Sequence, residues 1–443
     1  MPIDKVRDAA IDVLLRVFER NVRLDDSLDR TLRRRPQSDR GRRFMTQLVY
    51  GTVRHKALCD HLLAGCLHQS IDDLPKPILA VLRMGVFQAL FCDQVPFPAM
   101  VHTSVDLAKK RGHAGTARLT NAVLKRVPQQ LDGALSIDPS TDPIRYATVR
   151  YSIPEWIAER WHAERGAEGL LALSAAFNEQ APRTIRANAL RTTPAHLQRT
   201  LEKAGFPSKS CTPVPDELTL AAGMPIKTKS YLHGDFIFQD PASMIAGHVM
   251  DPQPGERILD LCAAPGGKST HIAALADNKA TVIAADQEPR RMNRLIENVE
   301  RLGTTSVRIV CSDGLHPPFN GGFDRVLVDA PCSGLGTMRR HPDLKWRLKP
   351  TDIPRLAENQ GTLLRAAADL CENGGLVVYS VCTFTPEETR SVVEAALPPG
   401  QFEEEDGPAW LEPWRVSRGT YQTDPAVHSL DGFFLMRLRK RSS

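Results

Sequence analysis

A chain of 443 residues exceeds what one compact core usually encloses, which excludes a single-domain protein and sets two or three domains as the working number. Hydrophobic residues make up 42% and charged residues 25%, with no apolar run near the ~18 residues of a bilayer span, so a membrane-spanning role is excluded. The formal charge of +5 is too small to announce a partner by itself, but it is unevenly spread: residues 1–140 carry 22 basic against 15 acidic side chains.

The opening Met1-Pro2-Ile3-Asp4-Lys5-Val6-Arg7-Asp8 lacks the apolar core of a secretory signal, and a cytoplasmic address is expected. From Asp4 to about Arg126 apolar residues recur at helical spacing. Ala9, Val13, Leu14 and Val17 form one stripe and Val81, Leu82, Val86, Leu90 and Phe91 another, which predicts an all-α module. Pro75 and Pro77 suit a helix start, and Pro96 and Pro98 mark a loop. Arg33-Arg34-Arg35 with Arg40, Arg42 and Arg43 is the densest positive stretch, a candidate face for phosphates. Nine cysteines without CxxC pairs fit reduced thiols better than a disulfide framework. Cys59, His61, Cys66 and His68 come nearest to a metal set, but helical spacing turns them to different faces, and no metal is expected.

Residues 127–150 turn to Pro, Asp, Ser and Thr and read as a linker. Beyond it Ser152-Ile153-Pro154-Glu155-Trp156 opens a helix, Thr184–Asn188 alternates like a strand, and Pro194–Ala204 is helical again, a small α+β unit. From about Gly234 strands alternate with helices, the mark of a parallel sheet. Strands are predicted at Arg257–Leu261, Thr281–Asp286, Val307–Val310, Arg325–Asp329 and Leu376–Ser380, with Gly432–Leu438 in an antiparallel edge hairpin. The expected domains are 1–140, 150–233 and 234–443.

The first strand of the third domain runs into Cys262-Ala263-Ala264-Pro265-Gly266-Gly267-Lys268, and a helix follows. Small residues there let the backbone approach a ligand, and free N–H groups at the helix start can face a polar group. Asp286 ends the next strand, where a carboxylate can take a ribose hydroxyl pair, so a nucleoside cofactor is expected. The GxGxxG spacing of dinucleotide binders is absent. Asp313 and Asp329 follow at the next two strand ends, and ligands of open α/β sheets bind outside such ends.

Asp329-Ala330-Pro331-Cys332-Ser333-Gly334 and Tyr379-Ser380-Val381-Cys382-Thr383-Phe384 send two thiols off the same edge of the sheet. If their strands are neighbours, both sulfurs can face one cleft. Carbon 5 of cytosine is a poor nucleophile, and a thiolate adding at carbon 6 makes it enamine-like enough to take a methyl group. A free thiol ionises near pH ~8.5, so a cation or helix start must favour the thiolate.

These motifs resemble the RNA 5-methylcytosine methyltransferases of the Sun/Fmu type, the RsmB group that modifies bacterial small-subunit ribosomal RNA. Arg340-His341-Pro342-Asp343-Leu344-Lys345-Trp346 and Phe238-Gln239-Asp240-Pro241-Ala242-Ser243 are similar to further family segments, and Leu82–Gln88 with Thr120–Arg126 to its NusB-like helical RNA-binding domain. The resemblance implies an all-α NusB-like domain, a small α+β domain and a Rossmann-like catalytic domain. It implies S-adenosylmethionine as cofactor, held by Cys262–Lys268, Asp286, Asp313 and Asp329. Cys382 is then the nucleophile, Asp329 also holds the cytosine edge at nitrogen 3, and Cys332 assists product release. A monomer acting on 16S ribosomal RNA, with no DNA or membrane partner, is expected. Transfer RNA as substrate, or a non-catalytic assembly factor, are the alternatives. Val381-Cys382-Thr383 departs from the family's commoner Thr-Cys-Ser without removing the thiol. Glu297-Asn298-Val299 spells a tripeptide of DNA cytosine methyltransferases, but there it follows Pro-Cys, and here it precedes Pro331-Cys332 on a predicted surface helix. Trp346, in the loop after Cys332, is placed either on an extruded base or in a core.

Overall fold

A computed structural model describes residues 4–134 and 136–442. Met1–Ile3, the head of the stretch read for a secretory signal, lie outside the described residues. Among those described, no helix is long and apolar enough to cross a membrane. The chain divides into two compact units, residues 1–179 with 338–348, and residues 180–337 with 349–443.

The first unit is all-α, as the periodicity predicts. Asp4 caps Lys5–Arg20 by accepting the Arg7 N–H, and Asn21 closes it in the left-handed conformation. Lys76–Phe91 is the central helix. Its residues from Ile78 to Gln88 are all buried, and the one buried cation among them, Arg83, is matched by a two-pronged bond to Asp60 at 2.6 and 2.8 Å. Residues 127–150 are not the linker their composition suggests. Ala114–Ala134 carries its helix through Pro128, and Pro143–Arg150 forms another capped by Asp142. Helix geometry tolerates these polar residues because neighbouring helices bury the apolar side: Val127 is fully buried and Val149 nearly so. Arg35 is tied to Asp12 and Asp8, so the densest basic run is partly neutralised, while Arg33 and Arg34 stay exposed. Residues 338–348 pack here. Trp346 donates its indole N–H to Val53 O at 2.8 Å, and Lys345 Nζ donates to Arg54 O at 3.0 Å. Trp346 is thus a packing residue.

The second unit holds two sheets. The smaller is antiparallel, in the order β2-β3-β1-β4, formed by β1 (Arg183–Ala187), β2 (Ser208–Lys209), β3 (Glu217–Leu220) and β4 (Phe236–Phe238). Helix Pro194–Lys203 covers it, burying Leu197 and Leu201 on Ile185, Leu218 and Phe236. β4, which the sequence pattern assigns to the third domain, pairs with β1, because its short aromatic run completes this apolar face.

The larger sheet has nine strands: β5 (Arg257–Asp260), β6 (Thr281–Asp286), β7 (Val307–Cys311), β8 (Phe323–Asp329), β9 (Cys371–Val381), β10 (Phe402–Glu404), β11 (Arg415–Ser417), β12 (Thr420–Thr423) and β13 (Phe433–Lys440). The path runs β11-β12-β13-β9-β8-β5-β6-β7, and β10 also pairs with β13. β7, β6, β5, β8 and β9 are parallel, and β13 joins β9 antiparallel. The predicted edge hairpin is therefore interior, since β13 carries β9 on one side and β12 on the other. Alternating side chains feed two cores: Ile258, Leu327 and Val378 lie in one, Leu259, Val326 and Val377 in the other. Strand order reverses at β5, which opens a crevice at the carboxyl ends.

Glu405, just past β10, fastens this strand cluster. Arg439 Nε lies 2.6 Å and Arg437 Nη2 2.8 Å from its carboxylate. Hydrogen bonds from Arg439 first, and from Arg437, pull its pKa down from 4.5 to about 2 against the effect of partial burial. A carboxyl depressed in the folded state stabilises fully above its unfolded value, and that contribution fades as pH falls through the folded one. Glu405→Gln should lower the thermal midpoint at pH 7 by an amount equivalent to about 1–3 kcal/mol. Melts followed by circular dichroism should show the gap to the unsubstituted protein narrowing between pH 4.5 and pH 3; a constant gap would contradict the assignment.

Candidate active site

The loop after β5 is shaped by Gly266, whose φ of +94° suits glycine and whose added Cβ would sit 2.5 Å from Leu295. Beyond it Gly267–Leu275 forms the expected helix. A cleft of about 520 Å³ opens here, lined among others by Gln239, Asp260, Cys262–Pro265, Gly267, Lys268 and Asp329. A larger, shallower groove lies beside Phe384, Arg390 and Arg418; neither cavity is lined by Cys332 or Cys382, and it is Lys268 and Asp329 that bring the smaller cleft to the cysteine loops.

The expected carboxylates separate into two groups. Asp329 reaches the cleft. Asp286 is buried beneath the loop, where Oδ2 accepts the Ala264 N–H and Oδ1 the Glu288 N–H, each at 3.0 Å. Asp313 accepts the Leu315 N–H at 3.0 Å. Neither Asp286 nor Asp313 is among the residues lining the cleft: Asp286 is bound to the loop after β5 and to its own turn, and Asp313 to its own loop. The sequence reading missed Asp260, which ends β5 immediately before the loop. Its Oδ2 accepts the Ser269 hydroxyl at 2.6 Å, its buried Oδ1 has no partner, and burial pushes its pKa up to about 7. Strand-end position was the available signal, since Asp286 and Asp329 were found by it.

β8 and β9 are parallel neighbours with Asp329 opposite Ser380. Three residues on from one and two from the other, Cys332 Sγ and Cys382 Sγ stand 3.2 Å apart, both thiols partly exposed. Lys268 Nζ lies 2.6 Å from Asp329 Oδ2, and Ser380 donates its hydroxyl to Asp329 Oδ1 at 3.1 Å. Burial works against the Lys268 charge, yet Asp329 and the Cys382 sulfur together hold its pKa above the ordinary value. Lys268 therefore supplies the cation that the sequence could not place near Cys382. The bond to Cys382, then burial, push the Cys332 thiol well up, so it stays protonated beside its partner.

A buried carboxylate positions the Cys332 loop. Glu388 accepts the Ser333 N–H at 2.7 Å, the Gln360 amide at 3.0 Å and the Thr385 hydroxyl at 2.6 Å. Thr383, the residue that departs from the family's serine, accepts the Ser333 hydroxyl at 3.0 Å and so joins the two cysteine loops. Gly336 N donates to Cys382 O at 3.0 Å, and a Cβ on Gly336 would fall 1.9 Å from Gly432 O, so only glycine fits this crossing. Asn298, within the decoy tripeptide, sits on helix Pro289–Leu302 and donates to Pro265 O at 2.9 Å, bracing the cofactor loop. Cys59, His61, Cys66 and His68 form no metal cluster; among the described residues the group with suitable spacing is Asp216, His248 and His271.

Three sequence families match the chain: "16S rRNA methyltransferase RsmB/F" over residues 247–439, the NusB family over 4–129, and the RsmF/B-like ferredoxin-like domain over 153–227. The ribosomal RNA small subunit methyltransferase B of Thermus thermophilus is 36% identical, with 99% of this chain and 98% of that one covered. A probable ribosomal RNA small subunit methyltransferase B of Synechocystis is 33% identical, covering 98% and 99%. Among solved structures, that of PH0851 superposes with a TM-score of 0.81 at 26% identity, covering 98% of this chain and 99% of its own. The small sheet is therefore a ferredoxin-like domain, and the nine-stranded sheet a Rossmann-like methyltransferase core.

The two thiols should react differently with an alkylating agent. With iodoacetamide at pH 8, Cys332 should label slowly, and Cys382→Ala should speed its labelling severalfold by removing the main cause of its raised pKa. Peptide mass spectrometry reads this directly; an unchanged rate would show that the sulfurs are not in contact.

Proposed function

The chain belongs to the 16S rRNA methyltransferase RsmB/F family, and from that premise we propose that it transfers a methyl group from S-adenosylmethionine to carbon 5 of a cytosine in small-subunit ribosomal RNA. The observation that carries this reading is the 3.2 Å approach of two thiols beside the cleft. An RNA methyltransferase acting through direct attack of a nucleophilic ring or ribose atom has no need of such a pair. Ribosomal rather than transfer RNA is favoured by relatives named for the small subunit over nearly the whole chain. The protein then works as a monomer in the cytoplasm, where its substrate is assembled.

The residues present suit the cofactor. The unpartnered Asp260 Oδ1 can accept from its amino group, and the small side chains of Ala263, Ala264 and Gly267 leave room along the loop. Asp286, buried under the loop, acts on the nucleoside end indirectly, by holding the Ala264 N–H and so the shape of the loop. When bound, S-adenosylmethionine supplies an electrophilic methyl group.

Cys382 Sγ, as a thiolate, bonds to carbon 6 of the cytosine. The electron pair of the carbon 5–carbon 6 bond is thereby available at carbon 5, which takes the methyl group. Nitrogen 3 takes up a proton from water as the sulfur adds and donates it in a hydrogen bond to Asp329, whose carboxylate Lys268 and Ser380 keep in place. Water then takes the carbon 5 proton, the double bond is restored, and the Cys382 sulfur leaves as a thiolate to which the Cys332 thiol can donate. Cys332, at 3.2 Å from that sulfur, assists this release.

Methyl incorporation into unmodified 16S RNA should fall by at least about a thousandfold in Cys382→Ala, the scale of losing a covalent route. Full activity would remove the nucleophile. Cys332→Ala should instead accumulate a protein–RNA adduct, visible as a slow band on a denaturing gel, and no adduct with donor and RNA present would refute the release role.

A further inference from the structure

Arg186 on β1 is buried at 2% exposure and points out of the ferredoxin-like sheet. Its Nη1 donates to Gly267 O and to Gln239 Oε1, each at 2.5 Å, and its Nη2 to Thr270 Oγ1 at 3.1 Å. Gly267 and Gln239 line the cofactor cleft, and Thr270 lies in the first turn of the helix that follows the loop. Thr270 in turn donates to Gly266 O at 2.6 Å. One guanidinium therefore holds the loop, the helix start and a side chain of the opposite wall.

The same sheet reaches that helix a second time. Asp216, just before β3, accepts from His271 Nε2 at 2.9 Å and His248 Nε2 at 3.0 Å. His271 belongs to the cofactor helix and His248 to Pro241–Met250. His271 Nδ1 is buried with no partner, which costs less as a bare lone pair than as an N–H. That favours a neutral His271 ring donating through Nε2 over a metal ion, which would take Nε2 and leave a buried N–H at Nδ1 unsatisfied. Asp216 also offsets the charge of Arg186, so cation and anion on one sheet form a compensated pair gripping one helix.

We propose that Arg186 is a positioning residue for the methyl donor: the ferredoxin-like sheet, through Arg186 and its counter-charge Asp216, sets the geometry of the cofactor loop and hence donor affinity. The idea rests on the donor site assigned above and adds a role for the small domain in the chemistry. A purely structural brace would change stability alone; a positioning role moves donor binding selectively.

The test is calorimetric titration of S-adenosylhomocysteine into the full chain, with donor and RNA KM values measured separately. Arg186→Met should raise the S-adenosylhomocysteine Kd and the donor KM about tenfold or more, the scale of lost bonds to a charged group, and leave the RNA KM within twofold. Arg186→Lys, keeping charge and one donor, should recover part of the loss. Thr270→Val keeps the shape and removes both the acceptor for Arg186 and the hydroxyl bond to Gly266 O, and should weaken binding about threefold even if Arg186→Met does not fold. Donor Kd within experimental error of the unsubstituted protein in folded Arg186 variants and in Thr270→Val would overturn the proposal, as would equal rises in donor and RNA KM. Failure of the unsubstituted protein to bind S-adenosylhomocysteine would instead sink the donor site itself, so the two failures are told apart.

Discussion

The chemistry depends on the parallel pairing of β8 with β9. In parallel neighbours the residues at matched register leave the sheet at the same edge, and here Asp329 is matched to Ser380. Both chains then turn within three residues into loops that carry a thiol. A slip of one residue would send one cysteine to the other face. The register is also held by Glu388 and Gln360 outside the strands and by Tyr379 of β9, whose buried hydrogen bonds link the Cys332 loop to the turn after Cys382.

Charge is concentrated where the strands end. Asp260, Lys268, Asp286 and Asp329 are drawn into one edge of the sheet, each with at least one oxygen or nitrogen bound by a short hydrogen bond. Buried ions seldom add net stability, because desolvation offsets their attraction. Their arrangement is better understood as preparation for reaction: the ammonium that neutralises Asp329 also interacts with the Cys382 sulfur, while Cys332 is kept as a thiol.

The small sheet shares the economy of the site. It contributes no side chain to the reacting atoms, yet Arg186 and Asp216 fasten the helix that follows the cofactor loop.

The sequence by itself determined the domain classes, the strands β5 to β9, the cofactor loop and the two thiols, because each is local: apolar period, small residues at a strand end, and a cysteine at a fixed distance from it. It also misled locally. Residues 127–150 have a linker's composition but fold as helices, since tertiary burial of Val127 and Val149 outweighs polarity; for Trp346 the sequence left two places open, and packing against the helical core is the one observed. What only the tertiary structure decided is every relation between distant segments: the 3.2 Å between sulfurs 50 residues apart, Lys268 beside Asp329, Arg186 on Gly267, and β13 inside the sheet. A hydrogen bond or ion pair forms across space, and a single sequence records the partners' identities but not the packing that brings them within reach.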